Sequence, residues 1–235
     1  EVYPGQRVGI NLAGVDKNEI NRGDVMATKD SLVPTDFIDG RLNIIEDAPM
    51  ILKHGDRIRF HIGAREVLGR VYMIEKEELL PGDSGLVQFR LEEDIVARYK
   101  ENFVIRRHSP MTTIGGGVVI DNNPPYRKKL DLDSVEELEI KENGSREERV
   151  SLALKLEENI TLSIEEISRK TNISIENLEN ILAQLIEDEK IIIFDTGNNY
   201  SYLHKNVFND LINETLEILN NYHSKYSLRQ GLSKE

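Results

Sequence analysis

The sequence contains no cysteine, and only 6% of its residues are aromatic. Without cysteine the chain cannot form a disulfide framework, a thiolate nucleophile or a cysteine-ligated zinc site. It also lacks any apolar run close to the roughly 20 residues that a membrane-spanning helix needs. The first residues have none of the character of a signal peptide. These absences predict a cytoplasmic protein with no membrane partner.

Basic residues are outnumbered, because 30 Lys and Arg face 42 Asp and Glu and give a net charge of -12. This balance excludes a uniformly basic polyphosphate binder but leaves room for a local basic face. The 235 residues, 39% of them hydrophobic, are typical of one large or two small globular domains. Because residue 1 is Glu rather than Met, we expect a fragment of a longer protein.

Residues 1–121 have the pattern of an all-β protein, with short alternating apolar runs separated by Pro, Gly, Asn and Asp clusters. The spacing of these runs predicts a small antiparallel barrel. The predicted strands are residues 7–12, 57–62, 66–74, 86–91, 103–106 and 118–120.

The second half has helical periodicity. Residues 122–144 open with Asn-Asn-Pro-Pro and predict a linker that carries one short helix. Ser145 with Glu148, and Ser163 with Glu166, have the spacing of helix capping boxes. A longer helix from Ser174 and two strands around the turn at residues 196–199 complete the pattern of a winged helix-turn-helix over residues 145–205. A further amphipathic helix over residues 207–222 predicts the start of a second such domain, residues 206–235.

The β half resembles the non-catalytic barrels of translational GTPases, in particular those of selenocysteine-specific elongation factors. Residues 4–15 (PGQRVGINLAGV) and 22–25 (RGDV) are similar to the last strands of that family's second domain. The most specific segment, Thr-Ile-Gly-Gly-Gly at residues 113–117 followed by Val-Val-Ile-Asp, is similar to the third domain. The resemblance therefore implies the end of domain 2 at residues 1–27, a domain 3 barrel at 28–121, the linker and one or more winged helices.

The resemblance implies a protein that delivers selenocysteyl-tRNA to the ribosome at UGA codons and uses an mRNA hairpin. The chain has no Gly-x-x-x-x-Gly-Lys-Ser/Thr phosphate loop, so GTP and Mg²⁺ would belong to a separate G domain. We therefore expect no catalytic residue, cofactor or enzymatic activity in this chain. The hairpin would be bound by a module beyond residue 235.

Third domains of this type contact the T stem of the bound tRNA, and one segment of this chain matches the contacting region. The residues that the resemblance implies for tRNA binding are Arg106, Arg107, His108, Thr113 and Gly115. The alternative is a solvated strand face, because residues 28–121 hold 13 basic and 16 acidic side chains. The three glycines at 115–117 either allow close backbone approach at a barrel seam or form a flat loop that an RNA backbone can approach.

This pattern disfavours two other classes of protein. A transcription regulator with a β-barrel sensor would read DNA with residues 174–188, but this segment contains no Lys or Arg. Residues 145–205 hold 7 basic and 12 acidic side chains, which disfavours nucleic-acid binding there.

A protease is disfavoured as well. Residues 82–85 (GDSG) match the sequence around a chymotrypsin-like nucleophile, yet His54 and His61 precede Ser84 too closely for that fold, and a tight turn explains the motif. The five histidines have no metal-ligand spacing, so no metal site is expected.

Overall fold

A computed structural model of the chain describes residues 2–28, 32–157, 161–195, 197, 200–226, 229 and 231. It contains two compact units, residues 1–131 and residues 132–235. No helix in the described residues is long and apolar enough to cross a bilayer.

The first unit is built around a closed six-stranded barrel in which all neighbouring strands are antiparallel, in the order β1-β6-β4-β3-β7-β8. The barrel strands are β1 (Thr35–Ile44), β3 (Arg57–Ile62), β4 (Arg65–Met73), β6 (Ser84–Ile95), β7 (Asn102–Arg107) and β8 (Thr113–Asp121). Two short strands, β2 (Leu52–Lys53) and β5 (Glu78–Leu79), pair separately.

Alternation along the strands separates the barrel core from its surface. In β3, Ile58, Phe60 and Ile62 are buried, while the residues between them face outward. The rings of Phe60, Phe89 and Phe103 pack together in the core with centroids 4.8 to 5.0 Å apart. The predicted fold class, a small antiparallel barrel followed by a winged helix, is confirmed.

Strand β1 is absent from the strands that the sequence pattern predicts, although it pairs with both β6 and β8 and closes the barrel. Asp39 and Gly40 lie in its middle and have the composition of a turn. Tertiary contacts explain both residues. A Cβ on Gly40 would lie 2.8 Å from the Phe103 ring, and Asp39 forms a buried ion pair with Arg127.

The strand predicted at residues 7–12 is wrong. Residues 2–28 contain no strand and one 3-10 helix, Lys17–Glu19. Val8 and Ile10 remain 50% and 58% exposed. An alternating pattern becomes a strand only when a neighbouring strand takes its backbone hydrogen bonds, and no described strand pairs with this segment.

The segment after β8 is ordered against the barrel, unlike the predicted linker. We call residues 122–131 the strap. The side chain of Asn122 donates to the Ala97 carbonyl at 2.8 Å, and Arg127 is buried. The predicted short helix is the 12-residue α1, Leu132–Asn143, which opens the second unit.

The second unit contains the winged helix. Its elements are α2 (Arg146–Lys155), β9 (Leu162–Ser163), α3 (Ile164–Thr171), α4 (Ile175–Glu187), β10 (Ile191–Asp195), β11 (Tyr200–His204) and α5 (Lys205–Lys225). Both predicted capping boxes form, at Ser145 with Glu148 and at Ser163 with Glu166. Strands β10 and β11 form the wing; of the turn predicted at residues 196–199, only Gly197 lies within the described residues. No described side chain of α5 is buried.

Candidate nucleic-acid interface

The outer face of the barrel brings two of the predicted tRNA-binding residues together. Arg106 on β7 lies directly opposite Arg59 on β3 and directly opposite Thr113 on β8. Arg106 is half-buried and Thr113 is exposed. These three side chains therefore form a row across three adjacent strands, which we call the Arg106 row.

Arg107 and His108 lie at the end of the β7–β8 hairpin. The amide of Arg107 donates to the Thr112 carbonyl at 2.8 Å and so closes the turn at residues 108–112, which includes a cis peptide bond between Ser109 and Pro110. Arg107 lies opposite Ile58, beside the Arg106 row rather than in it. Both Arg107 and His108 are half-buried.

Gly115 differs from the other predicted tRNA-binding residues because it is buried. The interpretation of residues 113–117 as a loop is wrong, because they form the first half of β8 between β7 and β1. A Cβ at Gly115 would lie 2.5 Å from the Asn43 carbonyl oxygen, and one at Gly117 would lie 1.8 Å from that of Arg41. The geometry favours glycines that permit close strand approach at the seam.

One carboxylate, that of Glu66, pairs with the positive charge at the β3 end of the Arg106 row. Arg59 donates a hydrogen bond to Glu66, whose other oxygen lies 3.9 Å from His61 Nδ1. The hydrogen bond from Arg59 lowers the pKa of Glu66, and the nearby His61 and Arg106 charges act in the same direction. Burial lowers the pKa of His61, against the effect of Glu66 and with that of Arg106. Neutral His61 and ionised Glu66 are therefore the favoured forms at neutral pH.

The basic residues of the barrel differ in how they are compensated. Arg57 contacts Glu92 at 2.8 Å, and Arg65 contacts Glu93 at 2.8 Å. Within the described part of the chain, Arg106 and Arg107 form no ion pair. Their positive charges are therefore available to an anionic partner.

A buried polar network on the other side of the barrel was missed by sequence reasoning. Gln88 donates through Nε2 to Asp39 Oδ1 at 2.9 Å and to the Pro125 carbonyl at 2.8 Å. Arg127 Nε donates to Asp39 Oδ2 at 2.9 Å. Burial raises the pKa of Asp39 to about 7, while the Arg127 charge opposes this shift. The network attaches the strap to β1 and β6.

The winged helix presents a different surface. Helix α4, at the recognition position, contains no Lys or Arg and exposes Glu176, Glu179 and Glu187. Among the described residues, no group of three or more His, Asp or Glu is arranged to hold a metal ion.

Comparisons with known proteins agree with this architecture. A sequence model for the β-barrel domain of selenocysteine-specific elongation factors matches residues 39–126. The selenocysteine-specific elongation factor of Desulfomicrobium baculatum is 29% identical over 231 residues, 98% of this chain and 36% of that protein. The homologue from Haemophilus influenzae is 25% identical over 234 residues, 98% of this chain and 35% of that protein.

A solved structure supports the same assignment. The crystal structure of a bacterial selenocysteine-specific elongation factor, EF-Sec, aligns with a TM-score of 0.66 at 19% identity and covers 95% of this chain and 32% of that chain. At this identity the alignment shows the fold. The chain thus spans about a third of the length of the relatives that it matches. The barrel match, the relatives and the shared fold together support a fragment of a selenocysteine-specific elongation factor.

Proposed function

We propose that the chain is part of a translation factor that delivers selenocysteyl-tRNA to the ribosome at UGA codons, and that its barrel contacts the tRNA backbone. The observation that carries this proposal is the Arg106 row, where an arginine without an ion pair among the described residues lies beside an exposed threonine. Arginine and hydroxyl side chains are the usual donors to phosphate oxygens.

The roles on this surface follow from its charges. Arg106 on the outer face would neutralise one phosphate, and Arg107, at the end of the β7–β8 hairpin, would neutralise a second. The Thr113 hydroxyl would donate to a neighbouring oxygen. Arg59 is held by Glu66 and is less available for the same task. Gly115 would act indirectly, since its lack of a side chain keeps β8 against β1. GTP and Mg²⁺ would act elsewhere in the whole protein, because no phosphate loop occurs in this sequence.

The winged helix would serve as a connecting or docking module toward the part that binds the mRNA hairpin. Its net charge over residues 145–205, from 7 basic and 12 acidic side chains, opposes direct contact with an RNA backbone. The acidic α4 disfavours the transcription-regulator alternative for the same reason.

Salt dependence of RNA binding tests the barrel surface. In the Arg106→Ala/Arg107→Ala variant, the affinity for an acceptor–T-stem RNA duplex should fall, and the slope of log affinity against log salt should flatten by roughly 1.4 to 1.8. Fluorescence titrations at several KCl concentrations measure this slope. Sequence preference should hardly change, because phosphate contacts position the RNA without specifying its sequence.

A matched control removes two exposed cations from the winged helix. The Arg146→Ala/Arg169→Ala variant loses the same charge from residues that are given no phosphate contact. It should keep the wild-type slope. An Arg106→Ala/Arg107→Ala variant that melts like wild type but binds with unchanged affinity and slope would contradict the proposal.

A further inference from the structure

A second cationic surface lies on the other side of β3 from the Arg106 row. Arg57 on β3 is directly opposite Arg70 on β4, and Arg70 is directly opposite Arg90 on β6. Like charges directly opposite one another destabilise a sheet. Three adjacent arginines therefore lower the stability of the barrel, and a surface whose only role was to stabilise the fold would not be expected to carry them.

Each of these guanidinium groups is held in a fixed place. Arg57 contacts Glu92 at 2.8 Å, and Arg70 Nη1 donates to the Gly55 carbonyl at 2.8 Å. Arg90 donates to Gln88 Oε1 at 3.2 Å and to the Arg127 carbonyl at 3.1 Å. The cations are thus oriented before any partner arrives.

Arg90 is also the middle layer of an aromatic stack. Its guanidinium carbon lies 3.7 Å from the ring centroid of Tyr72 and 3.9 Å from that of Tyr126. At these distances the two rings must cover opposite faces of the planar guanidinium. Tyr126 is nevertheless 66% exposed. Since one face of its ring is against Arg90, the other face is open to solvent.

Two further cations extend this surface. Lys128 and Lys129 follow Tyr126 on the strap and are exposed, and neither forms an ion pair with any residue that the structure describes. The same charges affect the pKa of His54. Burial has the largest effect and lowers this pKa, and the Lys129 and Arg90 charges lower it further. Positive charges from the strap and from the barrel therefore surround the stack of Tyr72, Arg90 and Tyr126.

We propose that this surface binds single-stranded RNA, with an unpaired base stacked on the open face of Tyr126 and flanking phosphates at Lys128, Lys129 and Arg70. An exposed aromatic ring surrounded by cations is the arrangement by which proteins bind unpaired nucleotides. A duplex keeps its bases stacked inside and cannot use the ring. An acidic protein surface would be attracted to the cations but would gain little binding energy from the exposed tyrosine ring. Single-stranded RNA is therefore the partner that uses both features.

Replacing Tyr126 separates stacking from charge. The full chain is titrated with a fluorescein-labelled oligouridylate and, in parallel, with an RNA duplex of the same length. Tyr126→Ala should weaken oligouridylate binding by about 5- to 100-fold with an unchanged salt slope. Tyr126→Phe should keep wild-type affinity. Lys128→Ala/Lys129→Ala should instead flatten the salt slope by about 1.4, the value for two contacts to a single strand.

Controls separate this site from the proposed tRNA surface. Tyr200→Ala, which removes an exposed tyrosine of the second unit, should leave oligouridylate binding unchanged. Arg106→Ala/Arg107→Ala should weaken duplex binding more than oligouridylate binding. If these arginines had no effect while Tyr126→Ala acted as expected, the tRNA surface would fail and the single-strand site would stand.

Three results would overturn the single-strand site. The first is no measurable oligouridylate binding at low salt, and the second is equal binding by wild type and a stably folded Tyr126→Ala variant. The third concerns polyglutamate as a competitor of oligouridylate. If Tyr126→Ala weakened polyglutamate binding by the same factor as oligouridylate binding, the partner would be an acidic protein surface.

Discussion

Gly115 lies where β8 approaches β1 so closely that no side chain fits between them. Its place in the sequence, beside two other glycines and near Arg106, is equally compatible with an RNA-facing loop. The difference is set by the strand on the other side: β1 carries the Asn43 carbonyl that a Cβ would contact. The residue type is visible in the sequence, while the reason for it is a neighbour some 70 positions away.

Gly115→Ala should destabilise the barrel by about 1–3 kcal/mol, because the added methyl group must displace strand backbone rather than a flexible side chain. Thermal unfolding followed by circular dichroism measures the loss. Gly9→Ala is the matched control, since nothing lies within 4 Å of a Cβ there, and it should stay within about 0.5 kcal/mol of wild type. Weakened RNA binding by Gly115→Ala at unchanged stability would instead restore a direct contact.

At the scale of elements, the strap is the clearest departure from the pattern of the sequence. Residues 122–131 contain Asn, Pro and charged residues and so have the composition of a linker. Yet Arg127 is only 6% exposed, because Asp39 and Gln88 satisfy its polar atoms inside the first unit. Composition indicates whether a segment is polar; burial depends on whether its polar groups find partners.

Arg127→Met should destabilise the first unit by about 3–5 kcal/mol above neutral pH, since it leaves the Asp39 carboxylate buried without its cation. Burial raises the pKa of Asp39 to about 7, so the folded state favours the protonated acid. The stability contributed by this group is fully present below its ordinary pKa of 3.8 and is lost as the pH rises through about 7. The cost of Arg127→Met should therefore be smaller at acidic pH.

Urea unfolding at several pH values between about 5 and 8 tests this expectation. The double variant Asp39→Asn/Arg127→Met is the control, because it removes the carboxylate and should largely abolish the pH dependence of the difference from Asp39→Asn alone. A pH-independent cost in the single variant would show that Arg127 acts by packing.

For the whole molecule, the division after residue 131 places the strap with the barrel and α1 with the winged helix. The boundaries predicted from the sequence at residues 27, 121 and 144 follow changes in composition and stay predictions. The match of the family barrel to residues 39–126 extends beyond residue 121 and includes the first half of the strap.

A chain of residues 32–131 should fold alone and melt cooperatively, because it contains every barrel strand and the strap. A chain of residues 32–121 should melt at a lower temperature, since it loses the Asp39–Arg127 ion pair and the hydrogen bonds that attach the strap to Gln88. Calorimetry of the two chains gives the difference. Equal melting temperatures would mean that the strap adds no stability to the barrel, and loss of cooperative melting in residues 32–131 would place the boundary elsewhere.

The sequence alone determined the class of each half, because hydrophobic periods of two and of about 3.6 residues are local properties of the chain. It also determined both capping boxes, in which donor and acceptor lie three residues apart. It supported the family through the segment at residues 113–121. Only the tertiary structure decided that residues 35–44 close the barrel, that residues 7–12 form no strand, and that Arg106 and Thr113 share a row. Each of these depends on which distant strand supplies the hydrogen bonds, and a one-dimensional pattern does not contain that pairing.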